Sequence, residues 1–294
     1  RGSKAACGDQ GSGGIRERDI MIIFALQPKY PANAADSSDC VEYMINRLNR
    51  LSEPADLIVM PEYSNAPGSF ETRGELESFV AVSTPALMGA ASAAARRLGS
   101  FVAVNMAHDC GEGLRSTTFL YGRDGRLRHK YDKLHLSAFE TKTLGLDNGY
   151  AFRAGRPEFS GCTFVEDGVS FGFLAGCDIY FSEQLEYLAN AHPDVIIFPA
   201  YQRGEREDII QAQAKLCALR CNAYTVRSSY SMGISDASGC GGHTMVASPD
   251  GTIICDLEQD TGFVWVKVDH RWKHSLFDGC EQPDVPGGAP LGGQ

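Results

Sequence analysis

Short apolar runs alternate with helical apolar patterns along the first half of the chain. Residues 20–28 (IMIIFALQP) and 55–62 (ADLIVMPE) have the length and composition of buried strands, and both end beside a proline. Residues 39–51 carry apolar side chains three and four positions apart, which predicts a helix. This half predicts strands at 20–28, 55–62 and 101–106, helices at 39–51 and 85–100, and a hairpin at 116–133 around an RDG turn.

The second half of the chain repeats this alternation without repeating the sequence. It predicts strands at 169–178, 193–200, 224–231, 243–257 and 262–269, and helices at 182–192, capped by Ser182, and 208–224. Helices alternating with strands and hairpins are typical of an α/β protein whose mixed sheets are covered by helices. Since no Pro/Gly/Ser linker interrupts the pattern, we expect one domain over 18–278, a flexible leader at 1–17 and a flexible tail at 279–294.

Charge and cysteine content narrow the possible partners and compartments. The 294 residues carry a net charge of −10 and no basic stripe, which argues against a nucleic-acid or anionic-membrane partner. No run of 18 apolar residues predicts a membrane span, and the first residues do not resemble a signal peptide. We therefore interpret the ten cysteines as reduced thiols of a cytoplasmic protein. A zinc site at Cys217 and Cys221 is the weaker alternative, because no second pair stands at a matching distance.

Three residues of catalytic type follow predicted strands. Glu62 ends LIVMPE, Lys133 ends RHKYDK and Cys177 ends FGFLAGC. Side chains at the carboxyl ends of buried strands converge on one crevice in many α/β proteins. A carboxylate, an ammonium and a thiol brought together would suit acyl transfer, as base, stabiliser of negative charge and nucleophile. Each residue alone has an ordinary structural explanation, and only their combination favours catalysis.

Four blocks of sequence, in order, resemble the nitrilase or carbon–nitrogen hydrolase superfamily over roughly residues 20–270. DLIVMPEYS resembles its glutamate motif, and HKYDKLHLSAFE its lysine motif with a second glutamate at Glu140. FGFLAGCDIYFSE resembles its cysteine motif. QAQAKLCALRCNAYTVRSSYSMG and GGHTMVASPDG resemble the helix, strand and hairpin that follow in the family.

The resemblance implies a four-layer α-β-β-α sandwich with two mixed sheets, commonly assembled as a homodimer. It also implies hydrolysis of a small amide, carbamoyl compound or nitrile through a cysteine thioester, without metal or other cofactor. By position, Glu62 would be the general base, Lys133 would stabilise the tetrahedral intermediate, and Glu140 would orient the substrate and support the lysine.

The cysteine motif departs from the family pattern at one position. Both flanks align without a gap only if Gly176 occupies the nucleophile position and Cys177 the next one. Successive side chains of an extended strand point to opposite faces, so a shift of one residue would turn the thiol away from Glu62 and Lys133. A glycine at a strand-to-helix turn widens the accessible dihedrals, so Cys177 could still return to the site. We therefore predict either a hydrolase that uses Cys177 or a ligand-binding pseudoenzyme that has lost its nucleophile, and we favour the hydrolase.

Residues beside these motifs are candidates for substrate contacts. The expected contacts are Tyr63, Phe139, Tyr201, Gln202 and Arg203. Arg203 or Arg206 could hold a substrate carboxylate, because the guanidinium group pairs with it in a bidentate geometry. We interpret His135, within the lysine motif, as structural.

Overall fold

The computed structural model describes residues 3–5, 19–32, 34–111, 113–149, 151–153, 156–202, 204–232 and 241–275. Its helices are α1 Ala34–Arg50, α2 Arg73–Leu98, α3 Ala138–Lys142, α4 Ser182–Ala191 and α5 Glu207–Cys221. Its strands are β1 Ser3–Ala5, β2 Ile20–Gln27, β3 Leu57–Val59, β4 Phe101–Asp109, β5 Leu114–Tyr121, β6 Leu127–Asp132, β7 Ala151–Arg153, β8 Arg156–Glu158, β9 Thr163–Glu166, β10 Val169–Phe173, β11 Val195–Pro199, β12 Tyr224–Ser228, β13 Met245–Ala247, β14 Ile253–Asp256 and β15 Gly262–Asp269.

Two mixed sheets stack face to face between pairs of helices. The first sheet has the order β1-β15-β2-β3-β4-β5-β6 and the second β14-β13-β12-β11-β10-β9, while β7 and β8 form a separate ribbon. Strands β2, β3 and β4 contact β11 and β12 of the other sheet. Helices α1 and α2 pack together with α2 against β4, and α4 and α5 pack together with α5 against β12 and β13. The predicted four-layer α-β-β-α sandwich is confirmed.

Strand β2 explains why the predicted strands are continuously apolar. Its successive side chains alternate between two cores, so Ile23 and Ala25 join the cluster between the sheets, which includes Phe171. Phe24 and Leu26 join the cluster that includes residues of α1 and α2. Because both faces of this strand are covered, neither face needs polar residues.

Helix α2 begins twelve residues earlier than the sequence pattern predicted. The side chain of Thr72 caps it by accepting a hydrogen bond from the Glu75 amide, and the helix then continues through Pro85 to Leu98. Proline is common in the first turn of a helix and rare further inside, so the place of Pro85 in the middle of α2 is unusual. The predicted start at residue 85 is therefore wrong, while the helix ends at Leu98, close to the predicted end, with Gly99 capping it in a left-handed conformation.

By length and composition α2 could cross a membrane. It is instead one of the layers of the sandwich, because it buries residues such as Leu76, Leu87 and Ala91 and packs on β4. An apolar helix in the core of a folded protein meets the same criterion of length and hydropathy.

Other local predictions also differ from the structure. Strand β10 ends at Phe173, and residues Gly176–Tyr180 form a 3-10 turn, whereas the sequence pattern predicts a strand up to residue 178. Helix α4 begins at Ser182 without a side-chain cap, so Ser182 is not its N-cap. Near the start of the chain, Ser3–Ala5 forms β1 and pairs in parallel with β15.

Candidate active site

The charged candidates converge at the ends of strands from the first sheet. Glu62 follows β3 and Lys133 follows β6, while Glu140 lies in the short helix α3. All three side chains are buried, with exposures of 1%, 4% and 6% for Glu62, Lys133 and Glu140. Residues separated by about seventy positions in the sequence therefore meet in one interior site.

Lys133 lies between the two glutamates. Its Nζ donates to Glu62 Oε1 at 2.7 Å and to Glu140 Oε1 at 2.6 Å. Tyr63 also donates its hydroxyl to Glu140 Oε1. Glu140 is fixed by a capping box, since its Oε2 accepts the Ser137 amide at 2.6 Å and its own amide donates to Ser137 Oγ. The ammonium is thus held by two charge-assisted hydrogen bonds, and one of its three N–H groups remains for another acceptor.

Burial and charge pairing shift the pKa values of this cluster in different directions. Burial raises the pKa of Glu62 to about 7, although Lys133 opposes the shift. Burial would also raise the pKa of Glu140, but the attraction of Lys133 and the hydrogen bonds from Lys133, Tyr63 and the Ser137 amide together outweigh it, and the pKa lies below its ordinary value. For Lys133, burial lowers the pKa, and the nearby carboxylates more than compensate and hold it well above its usual range. Glu62 is therefore the member of the cluster that can exchange a proton near neutral pH.

Gly176 stands at the place from which a side chain would point into this cluster. A β-carbon built on Gly176 would lie 2.7 Å from Glu62 Oε1, closer still to Glu62 Oε2, and 2.8 Å from Lys133 Nζ. The backbone there has φ +48°, in the left-handed region that glycine adopts without strain. The position that faces both the carboxylate and the ammonium thus carries only a hydrogen atom.

Cys177 lies in the same cavity but in a different environment. Its Sγ donates a hydrogen bond to the His135 carbonyl oxygen at 2.9 Å, and a carbonyl cannot accept the proton outright. Burial raises the pKa of the Cys177 thiol to about 12. Lys133 lowers this pKa, but the negative charges of Glu140 and Glu62 raise it and oppose the effect of the lysine. In this conformation Cys177 is a protonated thiol that forms part of the cavity wall.

Asp178 holds the turn that carries Gly176 and Cys177. It is fully buried and accepts hydrogen bonds from the Ala175 amide at 2.9 Å, the His135 amide at 2.9 Å and the Tyr131 hydroxyl at 2.5 Å. His135 also places Nδ1 3.0 Å from Asp178 Oδ1, which agrees with its structural interpretation. The role of Asp178 was not predicted, although an acid directly after the motif cysteine was the available signal.

A cavity of about 620 Å³ opens above the cluster. Four of the five predicted contacts line it: Tyr63, Phe139, Tyr201 and Gln202. Arg203 lies outside the described residues. Arg206 is not in the lining and pairs with Asp208 on the exposed surface. The lining also includes Phe70, Leu144, Tyr180 and Glu205, which the sequence analysis did not identify.

Within the described part of the chain, no group of three or more His, Cys, Asp or Glu side chains could hold a metal ion. Cys217 and Cys221 of α5 are both buried free thiols. The alternative of a zinc site at this pair finds no support among the described residues.

Comparisons with known proteins agree with the architecture. The family model described as carbon-nitrogen hydrolase matches residues 25–274. An amidase from Nesterenkonia sp. superposes with a TM-score of 0.68 at 16% identity, over 88% of this chain and 94% of the amidase. A cysteine-to-alanine mutant of that amidase in complex with butyramide gives a TM-score of 0.68 at 17% identity, over 87% of this chain and 94% of the mutant. Nit3 of Saccharomyces cerevisiae, from branch 10 of the nitrilase superfamily, gives 0.63 at 16% identity, over 88% and 92%. No curated protein sequence matches significantly.

Proposed function

Because the chain belongs to the carbon–nitrogen hydrolase family, we propose that its cavity binds a small amide or carbamoyl compound without forming a thioester at residue 176. The direction in which a β-carbon on Gly176 would point supports this proposal most strongly. A side chain at that position would touch Glu62 and Lys133, the base and the cation that a cysteine nucleophile needs, and glycine offers no thiol there.

The polar groups of the ion cluster can bind an amide through hydrogen bonds alone, with no covalent step. The free N–H of the Lys133 ammonium can donate to an amide oxygen, and the carboxylates of Glu62 and Glu140 can accept amide N–H groups. Aromatic side chains such as Tyr63 and Phe139 give the cavity apolar walls for the rest of the ligand. The Nesterenkonia amidase mutant, whose cysteine is replaced, holds butyramide, a molecule of the size this arrangement would accept.

Hydrolysis through Cys177 is the second candidate, since the cysteine lines the same cavity and the positive charge of Lys133 favours its thiolate form. The thiol would leave the His135 carbonyl and pass its proton to Glu62. The thiolate would then add to the amide carbon, ammonia would leave with a proton returned by Glu62, and water would cleave the thioester to a carboxylic acid. This route requires the sulfur to exchange its present hydrogen bond for one to Glu62.

Titration calorimetry with butyramide and an ammonia-release assay on a panel of amides test both candidates. We expect binding, no ammonia release, and unchanged binding heat in Cys110→Ala, whose partly exposed thiol lies outside the cavity lining. Gly176→Cys should acquire a covalent adduct with fluoroacetamide, detected by intact mass, while Gly176→Ala should not. Ammonia release that Cys177→Ala abolishes would establish the second candidate. Absence of binding by every amide, carbamoyl compound and nitrile tested would overturn both.

A further inference from the structure

Arg227 is a fully buried cation behind the wall of the cavity. It is the largest fully buried side chain described, with 0% exposure. Its Nη2 and Nε donate to Gln202 Oε1 at 3.1 and 3.3 Å, and its Nη1 donates to the carbonyls of Gly242 and His243 at 2.6 and 2.9 Å. Burying a charge is costly unless its hydrogen bonds are satisfied, so this arginine fixes its acceptors firmly.

The side-chain amide of Gln202 connects Arg227 to residues that line the cavity. Because its oxygen faces Arg227, its Nε2 points the other way and donates to the Tyr180 hydroxyl at 3.1 Å and to Gln213 Oε1 at 2.8 Å. Tyr180 in turn donates its hydroxyl to Glu205 Oε2. The hydrogen bonds from Arg227 through Gln202 and Tyr180 to Glu205 all run in one direction, from a cation to an anion. Such chains polarise their members and strengthen one another.

We call this chain of hydrogen bonds from Arg227 to Glu205 the Arg227 relay. Its Glu205 end faces the cavity. Gln202, Tyr180 and Glu205 all line the cavity. Tyr180 is 49% exposed, whereas Glu62 is 1% exposed, so the relay lies on the more open side and the ion cluster on the closed side. Glu205 accepts one hydrogen bond from Tyr180 and one from the Arg206 amide at 3.0 Å. A carboxylate has about four acceptor sites, so Glu205 keeps capacity for a donor on a ligand.

We propose that the Arg227–Gln202–Tyr180–Glu205 relay determines specificity, and that it selects amides or carbamoyl compounds whose far end carries an alkylammonium group. The inference rests on the proposed function, in which the amide end binds at Lys133. Glu205 accepts the ammonium hydrogens, and the rings of Tyr180 and Tyr201 cover the methylene stem. A ligand carboxylate at the same place is repelled by Glu205. Arg227 and Gln202 are positioning residues, because they act through Tyr180.

Three matched probes test the proposal by titration calorimetry at pH 7.5: 5-aminopentanamide, hexanamide and adipamic acid. Their chain lengths are equal, and their far ends are an ammonium, a methyl and a carboxylate. We expect 5-aminopentanamide to bind about tenfold more tightly than hexanamide, the effect of one charge-assisted hydrogen bond, and adipamic acid to bind most weakly. Glu205→Gln should reduce the ratio of the first two dissociation constants to near one.

Variants separate the relay from the general acidity of the surface. Glu207→Gln removes the same charge two residues away, outside the cavity lining, and should leave the ratio unchanged. Tyr180→Phe breaks the relay at a half-exposed side chain without a buried void, keeps the ring that covers the ligand stem, and should lower the ratio severalfold. Arg227→Met should act in the same direction if the variant folds, with partial recovery in Arg227→Lys.

Failure of the specificity proposal and failure of the proposed function give different results. If amides bind and the ratio is near one, or if Glu207→Gln lowers it as much as Glu205→Gln, the relay does not determine specificity. If none of the probes and no other small amide binds, the proposed function itself fails.

Discussion

Glu62 and Gly176 approach each other so closely that a β-carbon on Gly176 would lie within 2.7 Å of both carboxylate oxygens. The glutamate occupies the space that a side chain at 176 would need. In the sequence, Gly176 aligns with the nucleophile position of the family. In the folded site, position 176 is also the one that faces Glu62.

Replacing Gly176 with alanine should destabilise the fold by about 1–3 kcal/mol, because the left-handed backbone is strained with a β-carbon and Glu62 must move. Gly99→Ala is the matched control, since Gly99 is also left-handed, at φ +65°, but has no atom within 4 Å of the built β-carbon. Urea unfolding should show the larger loss for Gly176→Ala. Equal losses would mean that Glu62 moves without cost.

The thiol of Cys177 should react slowly with iodoacetamide at pH 7. With a pKa of about 12, its thiolate fraction is roughly a thousandfold or more below that of an ordinary cysteine. Peptide mapping after timed labelling measures the rate, with a cysteine peptide as reference. We expect the rate to rise about tenfold per pH unit above neutrality, in step with the thiolate. A fast, pH-independent reaction near neutrality would mean that Lys133 activates the thiol.

Sequence patterns were sufficient for mixed sheets covered by helices and for the meeting of Glu62 with Lys133, whereas the four layers and the place of Glu140 followed from the resemblance to the family. Continuous apolar strands require cover on both faces, and the motif residues that follow strands β3 and β6 lie at one edge of the sheet. The roles of these residues in catalysis remain predictions. Their hydrogen bonds and burial are facts of the structure.

Features set by contacts distant in sequence were not predictable in the same way. The Arg227 relay joins strand β12 to the loop before α5 and to the turn after β10, and nothing near Arg227 in the sequence indicates it. Pro85 misled the prediction of α2, because the tertiary packing of a long helix tolerates one missing hydrogen bond. Helix α3 had a usable signal that was overlooked, the capping-box spacing of Ser137 and Glu140.

Lys133→Met should destabilise the protein by about 3–5 kcal/mol, because it leaves two buried carboxylates without their cation. Adding Glu62→Gln and Glu140→Gln to Lys133→Met should recover part of this loss, since the uncompensated charges are then removed. Lys142→Met, at an exposed position of α3, should change the stability little. Chemical denaturation of these three variants and of the wild-type protein measures the coupling. A triple variant no more stable than Lys133→Met alone would contradict the ion-cluster explanation.

The stabilising effect of Glu62 should decrease as the pH rises from about 5 to 8. The pKa of Glu62 is about 7 in the fold, against an ordinary value of 4.5, so the folded state holds a proton that the unfolded state has already released. Between these values the folded state binds more protons, and its stability therefore falls with rising pH until Glu62 is ionised in both states. Relative to Glu62→Gln, we expect the wild-type protein to lose about 2 kcal/mol of unfolding free energy across this range, at about 1.4 kcal/mol per pKa unit. Glu140 and Lys133 titrate outside this window, because their pKa values are shifted below and above their ordinary values. Denaturant unfolding of both proteins at half-unit pH steps gives the difference, and a difference that stays constant or grows with pH would show that Glu62 is already ionised at pH 5.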